Sequence, residues 1–255
     1  MLVRSCCSLF CLLLALSLPA IAKQKKAPRK LDTLPVAAQP VSQARTFLAR
    51  GNAHLEHNQF PEAIDNYTRA LKLDDGLDDA YFGRGMALGR AGEIDAGIAD
   101  ISVYIARNPQ NSRAYTKRGI RYVWKGDSEN AQRDFLKAVA LDPNNAEAYD
   151  DLGVIYAQRR EYPQAIASFR RVISIEPAYF KAYHNLALVH FILGEHSAAL
   201  SEVNKVFPLK PDSRNSMMLK SLILKSLGRE QEARAAEEEA EFLPEENWTE
   251  RAPVK

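Results

Sequence analysis

Hydrophobic, small and polar positions recur along this chain with a period of 34 residues. Four glycines stand 34 residues apart, and two further steps reach other small residues: Gly51, Gly85, Gly119, Gly153, Ala187 and Ser221. A bulky residue stands four positions before each of them: Phe47, Tyr81, Tyr115, Tyr149, Tyr183 and Met217. Sixteen positions after them come Tyr67, Ile101, Phe135, Phe169, Val203 and, in the last repeat, Glu237. Six registers in phase indicate a repeat protein.

Each period contains two segments with helical spacing of apolar and small residues, as in Tyr149, Leu152, Gly153 and Tyr156. The break between the segments carries a residue that tolerates the left-handed conformation, except at Arg160. These permissive residues are Asn58, Gly92, Gly126, Gly194 and Gly228. Four prolines then end the second segments: Pro109, Pro143, Pro177 and Pro211. Because one helix pair cannot bury both of its faces, we predict that the pairs stack into an all-α solenoid.

This arrangement of bulky, glycine, alanine, aromatic and proline positions resembles the tetratricopeptide repeat (TPR) family, whose repeat is 34 residues long. The resemblance implies a right-handed α-solenoid of about six helix pairs, with repeats starting near 44, 78, 112, 146, 180 and 214. We place the solenoid at residues 41–245, with Ser42 as the cap of its first helix. The Glu-rich segment 229–241 is expected to be the polar terminal helix, or alternatively an acidic interaction tail.

The resemblance also implies where a partner would bind, because in this family the first helices of the pairs line a concave groove. Carried onto this sequence, the groove positions are Arg45, Asn52, Phe82, Met86, Arg113, Lys117, Ile120, Trp124, Val154, His184, Leu188 and Phe191. Phe82, Met86, Ile120 and Trp124 are expected to lie together, with Arg113 and Lys117 beside them. Exposed apolar residues would mark a binding site for an extended peptide or an amphipathic helix. Alternatively, these residues contact neighbouring helices, or the C-terminal tail fills the groove.

The first 22 residues have the pattern of a secretory signal peptide. One basic residue, Arg4, precedes an apolar run from Leu9 to Leu18, and the small-residue exit Ala20-Ile21-Ala22 follows. We therefore predict export to a periplasmic or secretory compartment after cleavage near Ala22. The alternative is a membrane anchor formed by residues 9–22, since five positive charges follow within residues 23–30. Membrane association through residues 1–30 is thus a second possibility, and residues 23–40 are interpreted as a basic, proline-containing linker.

Cysteine content agrees with export. The three cysteines, Cys6, Cys7 and Cys11, all lie within the predicted signal, so a cleaved chain would contain no thiol. A body without cysteine suits an oxidising compartment and excludes cysteine-based metal sites and nucleophiles from the mature chain.

Composition and motifs point away from catalysis and from nucleic acid. Hydrophobic residues make up 46% of the chain, charged residues 26%, and the net charge is +2, which does not suit a nucleic-acid-binding surface along the chain. His54 and His57 have the spacing of two metal ligands, but no third ligand is evident nearby. No catalytic motif occurs, and we predict no metal, no cofactor and no enzymatic activity. Three arginines share one register of the repeat: Arg50, Arg84 and Arg118. They either form a row of positive charges that binds an acidic partner, or they pair with acids in adjacent helices.

The sequence therefore predicts a non-enzymatic scaffold that binds protein partners through its concave face, as a monomer or with weak self-association. The alternative is a self-associating or membrane-anchored component of an assembly. Residues 246–255 form a C-terminal tail, whose Trp248 either folds back onto the last helix or anchors a partner.

Overall fold

The computed structural model describes residues 38–245, and every regular element in that range is an α-helix. The twelve helices are α1 (Ala38–Glu56), α2 (Phe60–Leu73), α3 (Asp78–Arg90), α4 (Ile94–Arg107), α5 (Ser112–Lys125), α6 (Ser128–Leu141), α7 (Ala146–Gln158), α8 (Tyr162–Ile175), α9 (Phe180–Ile192), α10 (His196–Asn204), α11 (Arg214–Ser226) and α12 (Glu230–Phe242). The predicted all-α solenoid of six helix pairs is confirmed.

The contacts between helices show which side of the solenoid is concave. Each odd-numbered helix packs against the even-numbered helix that follows it, and each even-numbered helix through α10 contacts the next odd-numbered one. Consecutive odd-numbered helices also contact each other, whereas no two even-numbered helices of the described part do. The odd-numbered helices are therefore closer together and form the concave side, and the even-numbered helices form the convex side.

A small residue facing a large one holds each helix pair together. Gly153 on α7 lies against the ring of Phe169 on α8, and a Cβ built at Gly153 would stand 2.5 Å from Phe169 Cε1. The same match occurs three more times, in the pairs Gly51–Tyr67, Gly85–Ile101 and Gly119–Phe135. All four of these large residues are at least 99% buried. The backbones of the two helices can approach this closely because the glycine leaves room for the ring.

The turn inside each helix pair uses a left-handed residue, as the sequence predicts for five of the six repeats. Asn58 and the four predicted glycines have positive φ angles. Arg160 also adopts this conformation, with φ of 60°, although an arginine pays a steric cost there that glycine does not. The repeat geometry therefore overrides the local preference of this residue.

Two expectations about the solenoid ends need revision. Helix α1 begins at Ala38, so the predicted linker boundary at residue 40 lies three residues inside the helix. Ser42 consequently stands within α1 and does not cap it; its carbonyl accepts a hydrogen bond from Thr46 Oγ1 at 3.0 Å. The predicted signal peptide or anchor, most of the linker and the tail with Trp248 lie outside the described residues.

The last helix has the polar outer surface of a terminal repeat. Helix α12 buries only three alanines, Ala233, Ala236 and Ala240, against α11. Its glutamates 230, 232, 238, 239 and 241 are exposed to solvent. In repeat six, Ser221 and Glu237 occupy the positions of the glycine and the large apolar residue, so this pair lacks the contact between glycine and a large apolar side chain that repeats one to four use.

The contact between Gly153 and Phe169 predicts a specific coupling. Gly153→Ala should destabilise the chain by about 1–3 kcal/mol, because the new methyl group overlaps the ring. Phe169→Val should relieve that overlap, so the double variant should be more stable than the sum of the single effects by at least about 1 kcal/mol. Urea unfolding of the three variants measures this. Gly51→Ala combined with Phe169→Val is the control, since those residues are three repeats apart and their effects should be additive.

Candidate functional site

The concave side of the later repeats exposes apolar side chains. On α9 and α11, Leu188, Ile192, Met218 and Leu222 are 39%, 53%, 42% and 47% exposed, respectively. These residues stand on odd-numbered helices, and no other helix of the described chain covers them. Contiguous exposed apolar surface of this kind is typical of an interaction site.

Part of this surface forms a pocket between α7 and α9. It has a volume of about 310 Å³ and is lined by Val154, Ala157, Gln158, Phe169, Asn185, Leu188, Val189 and Ile192. Phe169 and Val189 are buried at its floor, whereas Leu188 and Ile192 are exposed. Of the predicted groove residues, Val154 and Leu188 are therefore brought together here. Ile192, at 53% exposed, is more exposed than Leu188 at 39%, so it offers the larger free apolar surface of the two.

A second, smaller pocket lies between α3 and α5. It has a volume of about 90 Å³ and is lined by Met86, Arg90, Lys117, Ile120, Arg121, Trp124 and Glu147. The predicted proximity of Met86, Ile120 and Trp124 is thus present, although Ile120 is only 5% exposed and belongs to the core. The indole of Trp124 is half-buried against the same core cluster. Trp124 therefore both packs against the core and lines the groove pocket.

The predicted cations of the groove have different environments. Lys117 Nζ donates to both carboxylate oxygens of Glu147 at 2.7 Å, which makes it one half of an ion pair between α5 and α7 rather than an unpaired cation on the rim. Arg113 is exposed and lies over the ring of Phe82, 5.6 Å from its centroid. Phe82 in turn packs on Tyr104, with 5.0 Å between ring centroids, and contacts the α4–α5 core instead of Trp124. The expectation that Phe82 joins the Trp124 cluster is therefore wrong, because Tyr104 holds it.

His184 lies in a packing seam and does not line the groove, whereas Phe191 is partly buried. The His184 side chain is buried, and its Nδ1 is 2.9 Å from the hydroxyl of Ser216 on α11. Burial lowers the pKa of His184 from its ordinary value to about 4, so the ring is neutral. Phe191 packs against the core cluster that α9 shares with α10 and α11. The groove position transferred from the resemblance is wrong at His184, because Ser216 of the next repeat contacts the buried ring. Phe191 stays partly exposed, and its ring packs on that of His196 in the same repeat.

The first repeat contributes polar groups at the other end of the groove. Arg45 and Asn52 on α1 are both exposed. Asn52 Oδ1 accepts a hydrogen bond of 2.8 Å from the hydroxyl of Tyr67. The side chain of Asn52 is thereby oriented at the surface by a residue of the core.

Two of the three arginines that share a register, Arg84 and Arg118, form ion pairs that join the helices of their own repeats. Arg84 donates from Nε and Nη2 to the two oxygens of Asp100, at 2.6 and 2.9 Å. Arg118 makes the same paired contact with Asp134, at 2.7 and 2.8 Å. The sequence carries a signal for this, since each aspartate follows its arginine by 16 residues, whereas Arg50 is followed at that spacing by Asn66.

The histidines that have the spacing of metal ligands contact neighbouring groups of the first repeat. His54 Nδ1 is 2.7 Å from Gln59 Oε1, and His57 Nδ1 is 2.8 Å from the Ala53 carbonyl oxygen, so the two rings are engaged locally. Within residues 38–245 no three His, Cys, Asp or Glu side chains group closely enough to hold a metal ion. None of the helices in that range has the length and apolar content needed to cross a bilayer.

Arg121 is a residue of the groove that the sequence prediction missed. Its side chain is only 2% exposed, and it lines the pocket between α3 and α5. The equivalent position is apolar in the other five repeats: Ala53, Ala87, Ile155, Val189 and Ile223. That contrast was visible in the aligned repeats and marks Arg121 as the exception in its column.

Comparison with known families and structures agrees with the repeat pattern. Four models of tetratricopeptide repeats match the chain, at residues 48–112, 112–145, 135–167 and 153–194. No curated protein sequence matches it. Among solved structures, MamA is 28% identical, with a TM-score of 0.58 over 61% of this chain and 91% of MamA.

Two further structures share the fold at lower identity. PilF of Pseudomonas aeruginosa is 16% identical, with a TM-score of 0.69 over 78% of this chain and 90% of PilF. YrrB, a TPR protein with an unusual peptide-binding site, is 19% identical, with a TM-score of 0.59 over 73% of this chain and 98% of YrrB. At these identities the likeness establishes the fold alone.

The buried His184 predicts a specific acid sensitivity. Its pKa is about 4 in the folded chain and about 6.5 in the unfolded chain, so the unfolded state binds more protons between these values. The stability that the neutral ring contributes is complete above about pH 6.5, falls as the pH drops towards 4 and changes no further below that. The loss should be on the order of 3 kcal/mol. Urea unfolding at pH 7 and pH 4.5 measures it, with His184→Asn as the control that should lack this component.

Proposed function

This chain belongs to the tetratricopeptide repeat family, and we propose that it is a non-enzymatic scaffold that binds a segment of a partner protein in its concave groove. The site of that binding is the apolar surface on α7, α9 and α11. Proteins of this fold act as protein-interaction scaffolds, and the finer assignment to the groove is our inference.

The observation that carries the proposal is the exposure of large apolar side chains on the inner helices. Leu188 and Ile192 stand at the mouth of the pocket between α7 and α9, in contact with solvent. Covering apolar surface yields about 25 cal/mol per Å². The polar clusters of the chain are already engaged in ion pairs between helices, as at Arg84–Asp100 and Arg118–Asp134. Binding energy is therefore available from the exposed apolar side chains of the groove, whereas these charged side chains already have partners.

The form of the groove favours an elongated ligand. The inner surface repeats with each helix pair, so it presents successive pockets along one direction rather than one deep cavity. An extended segment or an amphipathic helix can place side chains into successive pockets of this kind. YrrB, which shares this fold, has a peptide-binding site described as unusual, and this supports a peptide as the class of ligand.

The compartment is proposed from the sequence of residues 1–22, which lie outside the described part of the chain. The apolar run, the Ala20-Ile21-Ala22 exit and the restriction of cysteine to this segment support export. We therefore place the scaffold in an envelope or secretory compartment, with a membrane-anchored form as the alternative.

Groove binding can be tested without a known partner. A library of random 12-residue peptides displayed on phage is selected on the purified chain, and synthetic copies of the selected peptides are measured by fluorescence anisotropy. Ile192→Asp should weaken their binding at least tenfold, because it places a charge in the apolar pocket. Leu136→Asp is the matched control, since Leu136 is 45% exposed on the convex helix α6. Equal losses for both variants, or a loss for Leu136→Asp alone, would exclude the groove as the site.

Export makes a prediction about the mature N-terminus. Protein isolated from its native host should begin at Lys23, because cleavage is expected after the small-residue exit Ala20-Ile21-Ala22. Intact-mass spectrometry measures this directly. A chain that retains residues 1–22 and sediments with membranes would support the anchored form instead.

A further inference from the structure

Arg121 carries a charge that is buried in the protein, away from the water that would otherwise hydrate it. Its side chain is 98% buried, and the other repeats carry an apolar residue in this register. Moving a cation out of water costs several kcal/mol unless hydrogen bonds and opposite charge replace the lost hydration. The neighbours of the guanidinium group therefore decide whether the site is complete.

The protein supplies only part of that compensation. Arg121 Nη1 donates to the carbonyl oxygen of Lys117 and Nη2 to that of Met86, each at 3.1 Å. The guanidinium lies over the indole of Trp124, 4.8 Å from the ring centroid. Its Nε has no hydrogen-bond partner among the described residues. Burial and the nearby Arg90 lower the pKa of Arg121 to about 10, so the group remains charged at neutral pH.

The nearest acid is already engaged. Glu147 lines the same pocket, but both of its oxygens accept hydrogen bonds from Lys117 at 2.7 Å. The lining of the pocket includes three cationic side chains, Arg90, Lys117 and Arg121, and one carboxylate. Arg121 is thus the most deeply buried cation of this lining, and the one carboxylate that lines the pocket is held by Lys117.

The fold makes room for this arginine specifically. A Cβ built at Gly89 would stand 2.6 Å from Arg121 Nε, so a larger residue at this position of α3 would displace the guanidinium from where it lies. The residue 68 positions later, in the equivalent helix α7, is Ala157, which faces Val189 in place of an arginine. The pair Gly89 and Arg121 thus replaces the pair Ala157 and Val189.

The two groove pockets are equivalent in register and opposite in chemistry. Adding 68 to the residues of the α3–α5 pocket gives residues of the α7–α9 pocket: Met86 gives Val154, Arg90 gives Gln158, Lys117 gives Asn185, Ile120 gives Leu188 and Trp124 gives Ile192. Both pockets therefore lie at the same level of their helices, two repeats apart. One is cationic and the other is apolar.

We propose that the α3–α5 pocket binds an aspartate or glutamate side chain of the partner segment whose apolar side chain occupies the α7–α9 pocket. This inference rests on the proposed groove function and specifies the chemistry of its ligand. The carboxylate of Glu147 acts on Arg121 only through its charge, and the printed hydrogen bonds of the guanidinium go to neutral carbonyl oxygens. Such a guanidinium gains most from a carboxylate that forms charge-assisted hydrogen bonds with it. A side chain, rather than the end of a chain, is the source, because the concave face continues past this pocket over α1 and leaves the partner backbone a path onward.

The spacing of the two ligand side chains follows from the register. Packed helices are about 8–10 Å apart, so two repeats separate the pockets by roughly 20 Å. An extended chain advances about 3.3 Å per residue, which gives about six residues between the acidic and the apolar side chain. The partner segment is thus an extended stretch with one acid and one large apolar residue at that separation.

Selection of peptides provides the test. The random library is displayed with its C-terminus fused to the phage coat protein, so only side chains supply carboxylates. Peptides selected on the natural chain should carry an acid about six residues from a large apolar residue. Peptides selected on Arg121→Val, which installs the residue of the equivalent position 189, should lack that preference. Lys137→Gln is the control for loss of one positive charge, since Lys137 is exposed on the convex helix α6.

Synthetic peptides then measure the contribution of the acid. Replacing the selected Glu or Asp by its amide should weaken binding at least tenfold on the natural chain and less than twofold on Arg121→Val. Glu147→Gln should tighten binding of the acidic peptide about threefold or more, because it removes the carboxylate that competes within the pocket. This second variant keeps Arg121 in place, so its effect does not depend on the folding of Arg121→Val, which thermal melting checks separately.

The outcomes separate this inference from the proposed function. If selected peptides lose affinity on Ile192→Asp yet bind equally well to Arg121→Val and show no acidic preference, the carboxylate pocket is wrong and the groove function stands. If Ile192→Asp has no effect either, both fail. If amidation of a free C-terminus abolishes binding while the change of the acidic side chain does not, the ligand is a terminal carboxylate and our assignment to a side chain is overturned.

Discussion

The contact of a small residue with a large one inside each helix pair is the constraint on which this solenoid depends. Gly153 lets α7 approach α8 so closely that the ring of Phe169 rests against the helix backbone, and three other pairs repeat the match. Repeat five changes both members together, to Ala187 and Val203, which are fully buried. A larger residue on one side is thus accompanied by a smaller one on the other, as close packing requires.

Because the helix pairs share one geometry, side chains at equivalent positions of the repeats stand in the same register. Because each repeat adds 34 residues without insertion, equivalent side chains recur at the same level of successive inner helices. The inner surface therefore presents a series of matching sites whose shape the fold determines and whose chemistry single residues determine. Arg121 and Val189 occupy one such position and give it opposite character.

Polar groups within the repeats mostly tie helices together. Arg84 and Arg118 reach across their pairs to Asp100 and Asp134, and Lys117 joins α5 to α7 through Glu147. These partly buried pairs hold each arginine in one orientation, because a guanidinium presents a rigid fork to a carboxylate. Arg121 differs from them in having carbonyl oxygens and an aromatic ring as its partners, which is why it stands out among the cations of the chain.

The sequence by itself determined the repeat number, the helix boundaries near the turns and the pairing of small with large residues, because each of these depends on spacing along the chain. It also indicated an apolar concave face. Only the tertiary structure decided which side chains stay exposed there: Leu188 and Ile192 do, whereas His184 is buried against Ser216 of the following repeat. The sequence placed Lys117 in the groove but did not reveal its partner Glu147, which stands 30 residues away. Exposure and pairing depend on contacts between repeats, and those contacts are set by how the helices stack rather than by the pattern within any one of them.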